Sequence, residues 1–406
     1  MMQTEALPNT GATRETNGTM KCLVKEDLNK EGFSLRENQD QPKPGFGEVK
    51  IRVLATAVCG TDKSIYNSTK SEGIRREMQR YLPQGDNYRP IVVGHEFCGI
   101  VEELGPGVEA MANDVPKHLL IEAGDYVTAE MHLSCGHCAL CRTGNEHICI
   151  SAKVKGVHQD GCFAQSVVVP YKNVILLGKD GDTSQIPPRI GAMLDAFGNA
   201  VHTVAEADVA GKSVAILGAG PLGLMSTFLC RAFGATRIYV TEAADLERRE
   251  KLANEFHADH FIDVSKGSAK LHELIGKLES NSNGVDVVLE MSGSLPAYQD
   301  AFKIVRNGGK VILLGIAREP LPQFDIANGV IWKGVTVKGI FGRKMFSTWE
   351  TMLSLIRSDR LDLKSKLEKV VAQKFYKLEE YKEAFDVLST GEELKVIFSP
   401  DGSLCK

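Results

Sequence analysis

Four cysteines, Cys135, Cys138, Cys141 and Cys149, stand in the pattern C-x2-C-x2-C-x7-C. Four thiols within 15 residues can surround one Zn²⁺ as a tetrahedron, and a shell closed by four sulfurs leaves no position for substrate. The spacing predicts a structural zinc in a small lobe over residues 132–150. His137 and His147 fall inside the same stretch, so an imidazole could replace one thiolate. An iron–sulfur cluster also takes four thiolates, but the ferredoxin run differs in its last spacing. A nucleic-acid-binding zinc ribbon pairs two well-separated CxxC knuckles, and this stretch lacks strong basic charge.

A second constellation lies upstream, with Cys59 in AVCGTD and the pair His95–Glu96 in VVGHEFCG. One thiolate, one imidazole and one carboxylate, with a further position open, is the composition of a catalytic zinc site. Taken singly, Cys59 reads as a buried strand cysteine and His95 as a satisfied core histidine. The metal reading gains from a third motif. Gly218-Ala-Gly220-Pro-Leu-Gly223 follows an apolar run and opens a helical pattern, which is the setting of a dinucleotide fingerprint. Gly218 permits the tight turn, Gly220 lets backbone amides approach a pyrophosphate, and Gly223 lets the helix pack closely on the strand. The helix N-terminus adds partial positive charge. Glu242, 19 residues after Gly223, stands where a carboxylate binds ribose hydroxyls and repels a 2′-phosphate, so NAD is expected over NADP. Arg248 and Arg249 either contact the adenosine or stand as surface charges.

These residues need a scaffold. From residue 20 to about 205 the chain reads as short strands bounded by Gly, Pro and Asp: KIRVLATAVC (50–59), IVVGHEFCGIVEEL (91–104), DYVTAEM (125–131) and CFAQSVVVP (162–170). From 213 to 340 nearly continuous apolar runs alternate with helical patterns. The strands SVAILG, RIYVTE, HFID, VDVVLE, KVILLG and VTVKGI predict a six-stranded parallel sheet, doubly wound, with helices on both faces. The run from Ser213 to Cys230 has 18 residues without a charge, but three glycines and Pro221 break it as a spanning helix. A strand, a turn and a helix explain it better. The tail from Ser347 returns to mixed helix and strand, with a helix over Trp349–Ile356 expected to close the first domain.

Composition excludes several classes. The 406 residues carry 48 Lys+Arg against 52 Asp+Glu, a net charge of −4, with 43% hydrophobic residues. That is neither a disordered chain nor one built to bind nucleic acid. Ten cysteines are too sparse for a disulfide-stapled scaffold. Residues 1–19 are polar, with Arg14 their only basic side chain, and read as a flexible extension rather than a targeting peptide. The sequons at Asn17 and Asn67 then carry no weight, and a reducing, cytoplasmic setting is expected.

Nearly the whole chain from Met20 resembles the zinc-dependent medium-chain dehydrogenases of the alcohol dehydrogenase superfamily. The stretches that carry this are CGTD with IYN (59–67), VVGHE (92–96), CGHCALCRTGNEHIC (135–149), GCFAQ (161–165), DAFGNAVHT (195–203), EMSG (290–293) and GIFGRKMFSTW (339–349). DAFGNAVHT and GIFGRKMF point within that family to the threonine dehydrogenases. The resemblance implies an α/β chain: a β-rich GroES-like catalytic domain (20–205, completed by 345–406) and a Rossmann NAD-binding domain (206–344). It implies two zinc ions per chain, an alcohol substrate, no nucleic acid, no membrane and a homotetramer.

By the same resemblance Cys59, His95 and Glu96 ligate the catalytic zinc, with Asp195 near it as a labile ligand or relay group. Thr61 takes the hydroxyl-relay position, and His132 matches a histidine that influences substrate choice. Leu222, Leu314, Gly315, Ile316, Ile340 and Phe341 fall where the family lines the NAD site. Two departures stand out. The family's CGTDxH ends in a relay histidine where this chain has Ser64, and serine cannot accept a proton near neutral pH. The chain is also longer between Asn67 and His95, a segment with Arg75, Arg76, Arg80 and Arg89 that reads as a solvated helix or borders the substrate site. A shorter inserted stretch, Met111–Leu120, has no evident chemistry. The expected reaction is NAD-linked oxidation of a secondary alcohol, threonine first, with a polyol or sugar as the rival. A non-catalytic zinc-bearing binding protein is the remote alternative.

Overall fold

The computed structural model describes residues 18–82, 88–113, 115–317 and 320–405, so the expected N-terminal extension lies outside it up to residue 17. The chain forms two compact units, Met1–Asp195 with Val371–Lys406, and Ala196–Val370.

The first unit is built on the strand Glu48–Ala57. Its side chains alternate, with Val49, Ile51 and Val53 fully buried between half-exposed Lys50 and Arg52. Alternation gives one face to the core. From Val53 onward every residue is buried, because the strand runs into the middle of a seven-stranded sheet. It pairs antiparallel with Glu96–Leu104, Ser166–Pro170 and the C-terminal strand Ile397–Phe398. Phe97, Val101, Phe163 and Phe398 close the core around it. Each such side chain contributes roughly 1.5–3 kcal/mol on burial.

The second unit holds six parallel strands, Ser213–Leu217, Arg237–Glu242, His260–Asp263, Val285–Glu290, Val305–Leu313 and Thr336–Gly339, in spatial order 3-2-1-4-5-6. This is the doubly wound sheet the apolar runs predict. The uncharged run resolves into the strand Ser213–Leu217 and the helix Pro221–Ala232, joined by the glycine turn. No helix among the described residues is long and apolar enough to cross a membrane.

Several helices depart from the reading of 20–205 as strands and loops, the longest of them at its end. Residues Leu194–Ala207 form a 14-residue helix. It is buried at every position but Asn199, Ala205 and Glu206, so no one-sided apolar stripe marks it. Gly198 and the β-branched Val201, Thr203 and Val204 weaken the helical signal in the sequence further. Gly198 is required there because a Cβ would lie 2.4 Å from Cδ of the buried Arg343. The helix Ser347–Ser358 clusters with the second unit, and the chain returns to the first at Val371.

Candidate metal centres and dinucleotide cradle

Strand register assembles the first centre. Ala57 pairs with Glu96 on one side and with Ile397 on the other. Cys59 lies two residues past Ala57, His95 precedes Glu96, and Lys395 lies two residues before Ile397. Cys59 becomes the N-cap of the helix Gly60–Tyr66. Gly94 makes the approach to His95 possible: its φ is +89°, and a Cβ there would stand 2.1 Å from the Phe163 ring. One ligand atom each from Cys59, His95 and Glu96 lies within 4.8 Å of the others, and His95 and Glu96 are buried.

The chemistry of this donor set fits a divalent cation. Glu96 is fully buried, and Lys395 Nζ lies 2.5 Å from its Oε2. Glu96 Oε1 has no hydrogen-bond partner among the described residues. Burial raises the Glu96 carboxyl above its usual range against the pull of Lys395, with Asp195 adding like charge. Three negative or electron-rich groups packed this closely away from water call for a positive centre. Asp195 is buried in the first turn of the helix Leu194–Ala207.

Asp62 and Lys395 were not assigned roles from the sequence. Asp62 is fully buried. Its Oδ2 accepts the Cys59 backbone N–H at 2.8 Å, and its Oδ1 lies 3.4 Å from His95 Nδ1. One carboxylate thus fixes both the turn that carries Cys59 and the ring of His95. Such outer carboxylates set ring orientation and basicity, and losing one typically costs about 10- to 100-fold in metal affinity. Asp62→Asn is accordingly expected to weaken zinc retention in a chelator competition by roughly that factor, with the fold intact. Asp62 had a local signal, since it sits in CGTD; Lys395 had none, being about 300 residues from its partner in sequence.

Thr61 and Ser64 share the helix that Cys59 caps. Thr61 is half-buried in the first turn, whereas the Ser64 hydroxyl donates back to the Gly60 carbonyl at 3.2 Å. Ser64 is therefore engaged with its own helix. His132 is buried, and its backbone N–H and Nδ1 lie 2.9 and 2.8 Å from Oε1 of the buried Glu130.

The four-cysteine lobe closes on itself. Sγ–Sγ distances are 3.5 Å for Cys138–Cys141 and Cys135–Cys149, and 3.9 Å for Cys135–Cys141 and Cys138–Cys149. A tetrahedron with metal–sulfur bonds of about 2.3 Å has edges of about 3.8 Å, so the thiols fit zinc. Backbone N–H groups of Cys138 and Ser151 point at the sulfurs of Cys135 and Cys149, both at 3.4 Å. The backbone hydrogen bond from Cys141 is the main cause that draws the Cys138 thiol down to about 6. The four sulfurs meet without His137 or His147 among them.

In the second unit the dinucleotide cradle sits where the strand order reverses, between Ser213–Leu217 and Val285–Glu290. A Cβ on Gly223 would lie 1.9 Å from the Gly218 carbonyl, so only glycine lets the helix approach the turn. Gly218 has φ +109°, and Gly220, which caps the helix, has open space beyond its Cα. That open face beside a helix N-terminus fits a pyrophosphate. Glu242 ends its strand with its carboxylate accepting the backbone N–H groups of Ala219, Ala243 and Ala244 at 3.0, 2.7 and 3.2 Å. Arg249 donates from Nη1 to the Ala219 carbonyl at 2.6 Å and lies 3.9 Å from Glu242, bracing the glycine turn.

Glu290 organises the other lip. Its Oε1 accepts from the backbone of Ser292 and Gly293, both at 2.9 Å, and its carbonyl accepts from Leu314 and Gly315, both at 3.0 Å. The loops 290–293 and 314–316 are thereby held together. Ile316 and Phe341 are exposed, Ile340 is buried, and Leu222 and Leu314 are half-buried. The exposed pair supplies apolar surface.

Residues 45–179 match the alcohol dehydrogenase GroES-like domain and residues 221–358 the zinc-binding dehydrogenase domain. The chain belongs to the zinc-dependent medium-chain dehydrogenase family of NAD-linked oxidoreductases. Within it, the chain is 38% identical over 359 residues to the L-threonine 3-dehydrogenase of Pyrococcus horikoshii, covering 88% of this chain and 93% of that protein. It is 36% identical over 384 residues to the L-threonine 3-dehydrogenase of Caldanaerobacter subterraneus subsp. tengcongensis, covering 95% of this chain and all of that one, 100%. The solved alcohol dehydrogenase of Thermotoga maritima superposes with a TM-score of 0.76 at 25% identity, over 94% of this chain and 99% of that one.

Proposed function

We propose that the chain oxidises L-threonine to L-2-amino-3-oxobutanoate with NAD⁺. The donor set of Cys59, His95 and Glu96 in one buried cluster carries the chemistry, and the threonine dehydrogenases related over nearly the whole chain support the substrate. When bound, zinc supplies Lewis-acid polarisation of the substrate hydroxyl, and NAD⁺ supplies the hydride acceptor.

The chain's own residues do the rest. Cys59, His95 and Glu96 hold the catalytic zinc, with Asp195 beside them. Asp62 holds the His95 ring, and Lys395 holds the Glu96 carboxylate. Thr61 relays the proton, its oxygen accepting from the substrate hydroxyl as its own proton moves outward. His132, fixed by Glu130, helps to select the substrate. The Gly218–Gly223 turn holds the pyrophosphate, and the Glu242 carboxylate takes the ribose hydroxyls, repelling a 2′-phosphate. Leu314, Gly315, Ile316, Ile340 and Phe341 line the cofactor site, and Arg249 braces the turn. In the balanced step, the hydride leaves the carbinol carbon for NAD⁺ and the hydroxyl proton goes to solvent. Cys135, Cys138, Cys141 and Cys149 hold the second, structural zinc, which requires reduced thiols and supports a cytoplasmic setting.

Assembly as a homotetramer belongs to the same reading. The edge strand Thr336–Gly339 is exposed along its length beside exposed Ile331 and Trp332, an edge a second copy could cover.

One observation keeps a polyol or sugar as the second reading. Ser64 replaces the relay histidine and its hydroxyl is tied to Gly60. A panel of L-threonine, sorbitol, inositol and galactitol with NAD⁺ separates the two. Threonine is expected to give the highest kcat/KM, and Ser64→His is expected to raise turnover on it several-fold by restoring a proton acceptor. Activity on the polyols with none on threonine would overturn the first reading.

A further inference from the structure

We propose that the segment inserted after Asn67 sets substrate choice, by gripping His158 and through it the strand that carries His132; this rests on the reading of His132 given above. The inserted helix Glu72–Gln79 docks through Ile74 and Met78, and Leu82 follows just past its end; Met78 and Leu82 are buried in the first unit's core. Just past its end the chain meets the zinc lobe. Arg80 reaches the Ile150 carbonyl at 3.4 Å, next to Cys149. The Tyr81 ring meets the His158 ring edge-on at 4.8 Å.

His158 is the hinge of this contact. It is buried at 5% exposure. The Val154 N–H donates to its Nδ1 at 2.9 Å, which leaves the proton on Nε2. Nε2–H then donates to the Glu77 carbonyl at 3.2 Å, at the C-terminal turn of the inserted helix. Burial holds this imidazole below the usual histidine range, against the Glu77 carboxylate that faces it and with Arg80 and His132 adding to the effect. The ring is thus neutral with one tautomer fixed.

Val154 pairs with His132 in the two-stranded sheet His132–Leu133 and Lys153–Val154. A continuous path of hydrogen bonds and register therefore leads from Glu77 through His158 and Val154 to His132 and Glu130. A solvated surface helix would need no such buried contact. His158 is a positioning residue on this path.

The test compares the full-length parent with His158→Phe, which keeps the ring but loses both hydrogen bonds, and with His158→Gln, which can restore a donor and an acceptor. The proposal expects His158→Phe to raise KM for the alcohol roughly tenfold with kcat and the NAD⁺ KM within about twofold, and His158→Gln to recover part of it. Amide exchange at His132 and Leu133 should quicken roughly tenfold, and zinc content should stay at two per chain. Tyr81→Leu, at a half-exposed position, is the second variant should His158→Phe not fold, with a smaller shift in the same direction. The exchange measurement needs no substrate, and KM is read on whichever alcohol the panel selects. Failure of threonine oxidation in the parent therefore counts against the functional reading alone. Unchanged KM in the variants, with or without faster exchange, overturns the proposal.

Discussion

Cys59→Ala is expected to reduce NAD-linked alcohol oxidation by at least about 10³-fold, roughly 4 kcal/mol of transition-state stabilisation. The cause is the loss of one of three protein donors. Without the thiol, His95 and Glu96 remain, and Glu96 is already held by Lys395 at 2.5 Å. Two donors, one of them in an ion pair, hold zinc weakly. Metal analysis should therefore fall from two zincs per chain to one. The fold should survive, because the substitution leaves the Cys59 backbone N–H bonded to Asp62. NADH fluorescence enhancement should also persist, since the glycine turn and Glu242 belong to the other unit. A variant that kept both zincs and most of its activity would remove Cys59 from the centre.

Cys138→Ser is expected to act on stability instead. The lobe between Cys135 and Cys149 contains only the four-residue helix Ala139–Arg142 and the three-residue turn Glu146–Ile148. Neither is long enough to stand alone. Their geometry rests on a four-sulfur shell, and structural zinc binding in comparable small sites is worth about 10–16 kcal/mol. Losing one thiolate should forfeit several kcal/mol of that and lower the melting temperature by about 10 °C or more. Backbone hydrogen bonds draw the Cys138 thiol down to about 6, so its loss also removes a ligand that ionises readily. Activity should fall along with the lobe, because Lys153–Val154 returns from it to pair with His132–Leu133. A zinc count of one with an unchanged melting curve would contradict this assignment.

Much of this was legible in the sequence, for physical reasons that differ by element. The central strands of the second unit could be read because strands buried on both faces are continuous apolar runs. The strand Ser213–Leu217, buried at every position, is the clearest of them, whereas the edge strands His260–Asp263 and Thr336–Gly339 are more exposed. The zinc lobe was legible because its ligands are close in sequence. The triad was half legible: residue types pointed to a metal, but only the register of Ala57 with Glu96 brings them together. What escaped depended on distance or on a weakened helical signal. Lys395 meets Glu96 through a strand at the far end of the chain. The helix Leu194–Ala207 hid behind a glycine and β-branched residues that packing against Arg343 accommodates. The inserted segment read as surface helix, and its charges do face outward; its grip on His158 runs through a backbone carbonyl, which no residue type announces.

The central claim is that this chain moves hydride from the carbinol carbon of threonine to NAD⁺. The most direct measurement uses L-threonine deuterated at that carbon, with mass analysis of the NADH formed. The account predicts one deuterium in each NADH, together with an equal amount of the amino-ketone product or its breakdown. No deuterated NADH from threonine, with transfer instead from a labelled polyol, would contradict it.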